Sequence, residues 1–327
     1  MISGGRRAAS IGLVLAGLGC APLLLTTPRL YSFTEVVILA LFAVSYNLLF
    51  GYLGLLSFGH SAYFGLGAYA TALVLFHWHG LPVLLAVVLG TAAGALGGIV
   101  IGNFCVRLSG PYFAMLTLAF GQLLFAIAWK WRALTRGDDG FGEFVKHATF
   151  PLLRTLESPD QRALYYLVVS VIVPVVGGTW LLMTRTPFGN FVVSVRQNEE
   201  RAVFLGYDVL AIKLVTYTLA AGLAGLAGSL SAIFHDFVSP SAIDLTLSTD
   251  VVLMTFIGGT VSFFGPVLGA AFFVYFSDFI SALTDRWQII MGVIFVLIVL
   301  FAPGGLVGFL ERIPKFRLRS VRSEAPR

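Results

Sequence analysis

The sequence predicts an all-α integral membrane protein, a bundle of about ten transmembrane helices, and three observations carry that expectation. Of its 327 residues, 58% are hydrophobic and 11% charged, against roughly 25% charge in an ordinary soluble domain, so the chain lacks the polar surface that water requires. A hydrocarbon core of about 30 Å takes about 20 residues of helix at 1.5 Å each, and runs of that kind fill most of the sequence. The runs are continuously apolar rather than alternating, which favours helices over the strands of a membrane barrel.

In order, the expected spans are residues 8–27, 33–50, 51–76, 81–104, 111–133, 163–184, 211–235, 247–264, 265–284 and 287–310. The first run, behind Arg6 and Arg7, resembles a signal peptide. It exceeds a usual signal core and no A-x-A-like site follows it, so it is read as a retained span. Residues 1–310 then form one transmembrane domain and residues 311–327 a basic tail. Cys20 and Cys105 fall within or beside apolar runs far apart in sequence, and support neither a disulfide framework nor a metal site. With the N-terminus inside and ten crossings, thirteen Lys and Arg lie on the inner side and eight on the outer. That excess expects both termini in the cytoplasm. The tail after Leu310 needs no partner beyond anionic lipid headgroups, and no nucleic-acid partner is expected.

Two kinds of glycine pattern stand out. Gly90, Gly94, Gly98 and Gly102 recur at every fourth position, and Gly222, Gly225 and Gly228 form a second small face; both predict close helix crossings. The stretch from Asn47 to Ala70 differs, because Gly51, Gly54, Gly59, Gly65 and Gly67 alternate with Ser57, His60 and Ser61. Such a segment is a poor continuous helix, and interrupted backbone at membrane depth survives only where protein or a water-filled cavity satisfies it. Asn47, Ser57, His60 and Ser61, with Thr117 and Gln122 in a later span, are therefore candidates for lining a solute path. The alternative is an interhelical hydrogen-bond cluster.

Residues 185–210 read as a structured inner connection. The turn at Arg185-Thr-Pro-Phe-Gly189 leads into a short amphipathic helix that stops at Gly206. On it Val195, Ala202, Phe204 and Leu205 can face apolar surface while Arg196, Glu199, Glu200 and Arg201 stay exposed. A polar face of mixed sign suits a protein partner better than a headgroup layer.

The chain carries no G-x-x-x-x-G-K-[ST] loop for nucleotide, no catalytic or paired-cysteine motif, and five scattered histidines, so neither an enzyme nor a cofactor site is expected. Glu35, Asp250 and Asp278 lie toward span ends, leaving the span centres almost free of the charges an ion-coupled carrier uses. The expected energy source is another protein, a separate ATPase docked on the 185–210 segment.

Several ordered blocks resemble one family, the permeases of branched-chain amino acid ABC importers, in particular the larger, M-type subunit. They are GYLGLLSFGHSAYFGLGAY at Gly51 to Tyr69, GPYFAMLTLAFGQ at Gly110 to Gln122, RTPFG at Arg185 to Gly189, and RQNEERA with LGYD at Arg196 to Ala202 and Leu205 to Asp208. Ile257-Gly-Gly, FGPVLGA from Phe264 and PGGL from Pro303 continue the order. The resemblance implies a type II ABC importer-like bundle with broken helices near the solute path. It implies a bacterial inner-membrane complex with a second related permease, two cytoplasmic ATPases that use the ATP, and a periplasmic solute-binding protein. It marks Arg196, Asn198, Glu199, Glu200, Arg201, Gly206 and Asp208 as the ATPase-coupling residues and implies no bond chemistry on this chain. Arg136 stands where the family usually has Gly, Gln197 replaces a usual Glu, and Asp250 stands where Glu is commoner. Importers of urea or short amides are close relatives and the nearest alternative; an ion-coupled carrier or channel is the alternative from another class.

Overall fold

The computed structural model describes residues 17–148, 160–260, 262–301 and 304–312. Helix α1 (Thr27–Asn47) has Pro28 in its first turn, where the missing N–H would be unpaired anyway. It continues into a π-turn at Leu48–Leu53, making one apolar run of 27 residues. Gly54 ends that run at φ +79°, a left-handed conformation that a side chain would strain. No helix covers residues 54–60, and α2 (Ser61–His77) follows. The span expected at 51–76 therefore starts ten residues late, because residues 48–53 belong to α1 and the Gly- and Ser-rich stretch after them does not propagate a helix.

Further helices among the described residues are α3 (Val83–Cys105), α4 (Gly110–Lys130) with a single turn at Arg132–Thr135 after it, α5 (Gln161–Arg185), α6 (Pro187–Gln197), α7 (Glu199–Phe204) and α8 (Val209–His235). They continue with α9 (Leu245–Gly258), α10 (Gly265–Ser281), α11 (Trp287–Phe301) and α12 (Gly305–Arg312). Among the described residues five runs, residues 27–53 and helices α3, α4, α5 and α8, are long and apolar enough to cross a membrane, whereas α9, α10 and α11 are apolar but shorter. The expected span 247–264 stops at Gly258 because Gly259 takes φ +103°. The expected span 287–310 is divided between α11 and α12, the latter opening at Gly305 with φ +64°. Of the first expected span, residues 8–16 lie outside the described set and 17–24 are helical. Tyr165 on α5 donates its hydroxyl to the Leu18 carbonyl at 2.7 Å, which fixes that segment against α5. The tail from 313 onward lies outside the described residues.

The most apolar window of α1 is 78% buried and that of α8 is 61%, against 33%, 28% and 22% for α3, α4 and α5. Helices α1 and α8 thus form the interior of the bundle, with α8 packed along α3 and α2 and α1 beside it. Backbone proximity makes this packing possible. A Cβ on Gly228 would fall 1.8 Å from the Phe64 carbonyl oxygen, one on Gly67 2.0 Å from that of Gly225, and one on Gly94 2.8 Å from the Gly225 Cα. Gly90, Gly98 and Gly102 face the same crossing and meet side chains of Thr71 and Ser229, Ala221, and Tyr217. At the end of α8 a two-residue ladder pairs β1 (Phe141–Gly142) with β2 (Phe237–Val238), and Phe141 lies against both Tyr69 and Phe76 of α2. The guanidinium of Arg136 sits 5.2 Å from the Phe76 ring centre.

Candidate functional site

The interruption between α1 and α2 gathers polar groups from four other parts of the chain. Lacking helical partners of its own, it must take them from neighbours. His60 is fully buried; its Nε2 lies 2.9 Å from Ser45 Oγ on α1, and its ring stacks on Phe42 with Tyr46 and Tyr63 edge-on. The Ser61 hydroxyl donates to the Ile243 carbonyl at 2.9 Å, and the Ser248 hydroxyl donates to Ser61 Oγ at 2.7 Å. The Phe58 N–H donates to Thr117 Oγ1 on α4 at 3.3 Å. Gly59 presses on the same helix, since a Cβ there would fall 2.0 Å from the Thr117 carbonyl oxygen. Asn47 closes the group by donating from Nδ2 to the Ser262 carbonyl at 3.3 Å.

Asn47, Ser57, His60, Ser61 and Thr117 thus meet around the break, each at most 2% exposed. Gln122 does not join them. It lies one residue beyond Gly121, whose position against Gly59 holds α4 on the break, and its own side chain is on the exposed face of α4 with Met115, Ala119 and Ala126.

At the same end of α1, against its π-turn, the connection 186–208 forms two helices where the sequence suggested one. Pro187 in its first turn sets the start of α6. Gly189 permits the tight return from α5, because a Cβ there would fall 1.9 Å from the Met183 carbonyl oxygen. Asn198 leaves helical geometry at φ −160° and ψ 106° and caps α7, accepting a hydrogen bond from the Arg201 N–H at 2.8 Å. A polar side chain with a free oxygen is a better cap than a helix interior residue, which is why the expected single helix divides here. Gly206 at φ +83° closes α7, and Asp208 caps α8 by accepting from the Ala211 N–H at 3.0 Å.

Within this segment Val195 and Ala202 pack inward. Two charged side chains also turn toward the bundle. Glu199 accepts from Lys213 at 2.5 Å, although only 5% of the Lys213 side chain is exposed against 47% of Glu199. Arg196 donates from its guanidinium to the Gly51 carbonyl in the π-turn. Val203, Phe204 and Leu205 instead project outward, 57%, 90% and 65% exposed, beside the exposed Glu200 and Arg201.

Residues 29–320 match the family described as branched-chain amino acid transport system permease components. The chain belongs to this family. The permease is 27% identical over 310 residues to the high-affinity branched-chain amino acid transport system permease protein LivM of Salmonella typhimurium, covering 89% of the chain and 72% of that relative. It is 26% identical over 306 residues to LivM of Escherichia coli K12, covering 88% and 71%. The fructose import permease protein FrcC of Rhizobium meliloti shares 28% identity over 206 residues, 61% of this chain and 56% of that one. No solved structure matches the permease significantly. Family membership makes it a transport component rather than an enzyme.

Sequence reasoning passed over three features of the permease. Lys213 entered only as an inner-loop charge, yet it is a buried partner of Glu199; a lone lysine in the first turn of a long apolar helix was the available signal. Tyr63 and Tyr217, whose hydroxyls lie 2.6 Å apart, tie α2 to α8, and nothing in the spacing marks them. The third is the segment after β2. Pro240–Ile243 makes a 3₁₀ turn, and a Cβ on Gly65 would fall 2.1 Å from Ile243 Cγ1. Since Phe141, beside β2, lies level with Tyr69 to Phe76, the chain passes roughly 10 Å deeper along α2 before α9 begins. Helix α9 accordingly starts partway along α2 and exposes Thr246 and Thr249 in its first turns, and it also touches α4.

Proposed function

We propose that the permease is the membrane-spanning subunit of an ATP-driven importer for branched-chain or related hydrophobic amino acids in a bacterial inner membrane. The observation that carries this reading is the family match over residues 29–320, with both LivM relatives aligned along nearly nine tenths of the chain. Its partners in this reading are a related permease, two ATPases that hydrolyse the ATP, and a periplasmic receptor. Residues 185–210 face the cytoplasm, as do both termini.

The exposed trio Val203, Phe204 and Leu205 supports docking of an ATPase on α7. Contiguous apolar side chains flanked by charge mark a protein contact more than a solvated helix. The solute passes between the two permeases along the exposed face of α4. The exposed Gln122, with the exposed Thr246 and Thr249 of α9, offers hydrogen bonds that lipid could not satisfy. Asn47, Ser57, His60, Ser61 and Thr117 shape this path from behind by holding the break. A second reading, import of a sugar, draws on the fructose permease relative.

Purification of the tagged permease from its native membrane in mild detergent, followed by mass spectrometry, tests the assembly. Two ATPases and a sister permease are expected, and Phe204→Asp removes the ATPases while the sister permease remains. Recovery of the chain alone under several detergents would overturn the importer reading. ATP-dependent uptake of leucine in reconstituted vesicles supports the amino-acid assignment, and uptake of fructose in its place would decide for the sugar.

A further inference from the structure

We propose that Arg196 is a positioning residue that transmits movement of the ATPase-docking segment to the break between α1 and α2. This rests on the importer reading above and adds to it the route by which the docking segment acts on the solute path.

The π-turn at Leu48–Leu53 is the C-terminal end of a 27-residue helical run. The last carbonyls of a helix lack intrahelical donors and carry the negative end of its dipole. After Gly54 the chain supplies few replacements: the Gly54 and Leu55 N–H groups both return to the Leu49 carbonyl. The Gly51 carbonyl is satisfied instead by the Arg196 guanidinium, which arrives from α6 across 145 residues of sequence. The aliphatic stem of the same side chain lies along Gly54, where a Cβ would fall 3.1 Å from Arg196 Cγ. One side chain therefore grips both the last turn of α1 and the glycine that releases the chain into the break.

The two ends of this tie have different attachments. Arg196 stands two residues before Asn198, the cap of α7, and α7 carries the outward Val203, Phe204 and Leu205. Four residues after Gly54, Phe58 donates to Thr117 on α4, and Gly59 and Gly121 lie in backbone contact. A displacement of α6 and α7 thus reaches α4 through Arg196, the π-turn and residues 54–60. A π-turn suits this position, because its wider ring is interconvertible with α-helix by a one-residue change of pairing. Arginine suits it because a long aliphatic stem lies along Gly54 while a permanently charged donor reaches the Gly51 carbonyl, features lysine shares in large part.

The test compares wild type, Arg196→Ala and Arg196→Lys, each in the complex purified from native membranes, by amide hydrogen exchange with and without trapping by ATP and vanadate. In the wild type, trapping changes exchange both in residues 187–208 and in residues 48–60. In Arg196→Ala the response of residues 187–208 persists, the ATPases still co-purify, and the response of residues 48–60 is lost. Without nucleotide, exchange at the end of the π-turn rises about tenfold, as expected for loss of a charged hydrogen bond. Arg196→Lys retains most of the wild-type response. Transport per ATP hydrolysed falls in the alanine variant and recovers in the lysine variant. An alanine variant whose residues 48–60 respond as in wild type would overturn the proposal, and so would loss of the ATPases, which would make Arg196 a docking residue. A wild-type preparation without ATPases would instead overturn the importer reading.

Discussion

Gly228→Ala offers the sharpest test of the packing between α8 and α2, because the same helix supplies its own control. A Cβ at Gly228 would fall 1.8 Å from the Phe64 carbonyl oxygen and 2.7 Å from its carbon, both backbone atoms of α2. Ordinary contact begins near 3.4 Å, so the helices must part by about 1.6 Å along that line; even a gap of 0.5–1 Å forfeits a quarter to a half of the dispersion well between facing atoms. No rotamer relieves a clash between a Cβ and a main-chain carbonyl. The cost therefore lies at the top of the range for overpacked sites, about 3 kcal/mol, out of the 5–15 kcal/mol typical of a folded domain. At Gly222, six residues earlier on α8, a Cβ would make ordinary contacts with Ala95, 3.4 Å from its Cβ and 4.0 Å from its Cα, and Gly222→Ala should be tolerated. The assay is the midpoint of heat-induced loss of the monodisperse peak in detergent, read by size-exclusion chromatography. Gly228→Ala is expected roughly 5–10 °C below wild type, with Gly222→Ala close to it. Equal midpoints for the two variants would refute the packing argument.

Two further outcomes follow from the same structure. Glu199→Gln leaves the nearly buried ammonium of Lys213 without its anion, whereas Lys213→Met removes both the charge and the need for a partner. Because Glu199 is itself half exposed, the first should cost about 1–2 kcal/mol, well below the figure for a wholly buried pair, and the second close to nothing, read as midpoints in the same assay; a reversed order would refute the pairing. Gln122→Leu should leave folding and partner recovery unchanged while lowering ATP-dependent uptake several-fold, and undiminished uptake would remove Gln122 from the path.

The parts of the permease legible in the sequence were those written in composition over many residues. Long apolar runs gave α3, α4, α5 and α8, and the mixture of glycine with Ser57, His60 and Ser61 marked an interruption. Where the helix ended was harder to see, because Leu48 to Leu53 are apolar and read equally well as the end of one span or the start of the next. Hydropathy also carries no depth, so nothing distinguished a loop outside the bundle from Pro240–Ile243 passing along α2. The ladder of β1 and β2 is two residues a side, too short for any alternation to register. Arg136, at a position where the family resemblance implies glycine, adopts φ +59°, a left-handed conformation that glycine takes without strain, and its cation lies over Phe76 and Phe141.

The break also differs physically from the helices around it in what its rearrangement would require. Inside a helix, moving a segment by a few ångströms breaks consecutive backbone bonds for which the membrane offers no substitute. Residues 54–61 instead hang on a few bonds to separate elements: one to Ser45 through His60, one to Thr117 through Phe58, and those of Ser61 to Ser248 and Ile243, with Arg196 on the π-turn just before them. Each such bond contributes about 0.5–1.5 kcal/mol net, and each can be exchanged while the others hold. A segment tied in this way follows the relative positions of α1, α4, α6 and α9 together, whereas a continuous helix would resist them. This is the property required of an element placed between the proposed docking segment at one end of the bundle and the proposed solute path along the exposed face of α4.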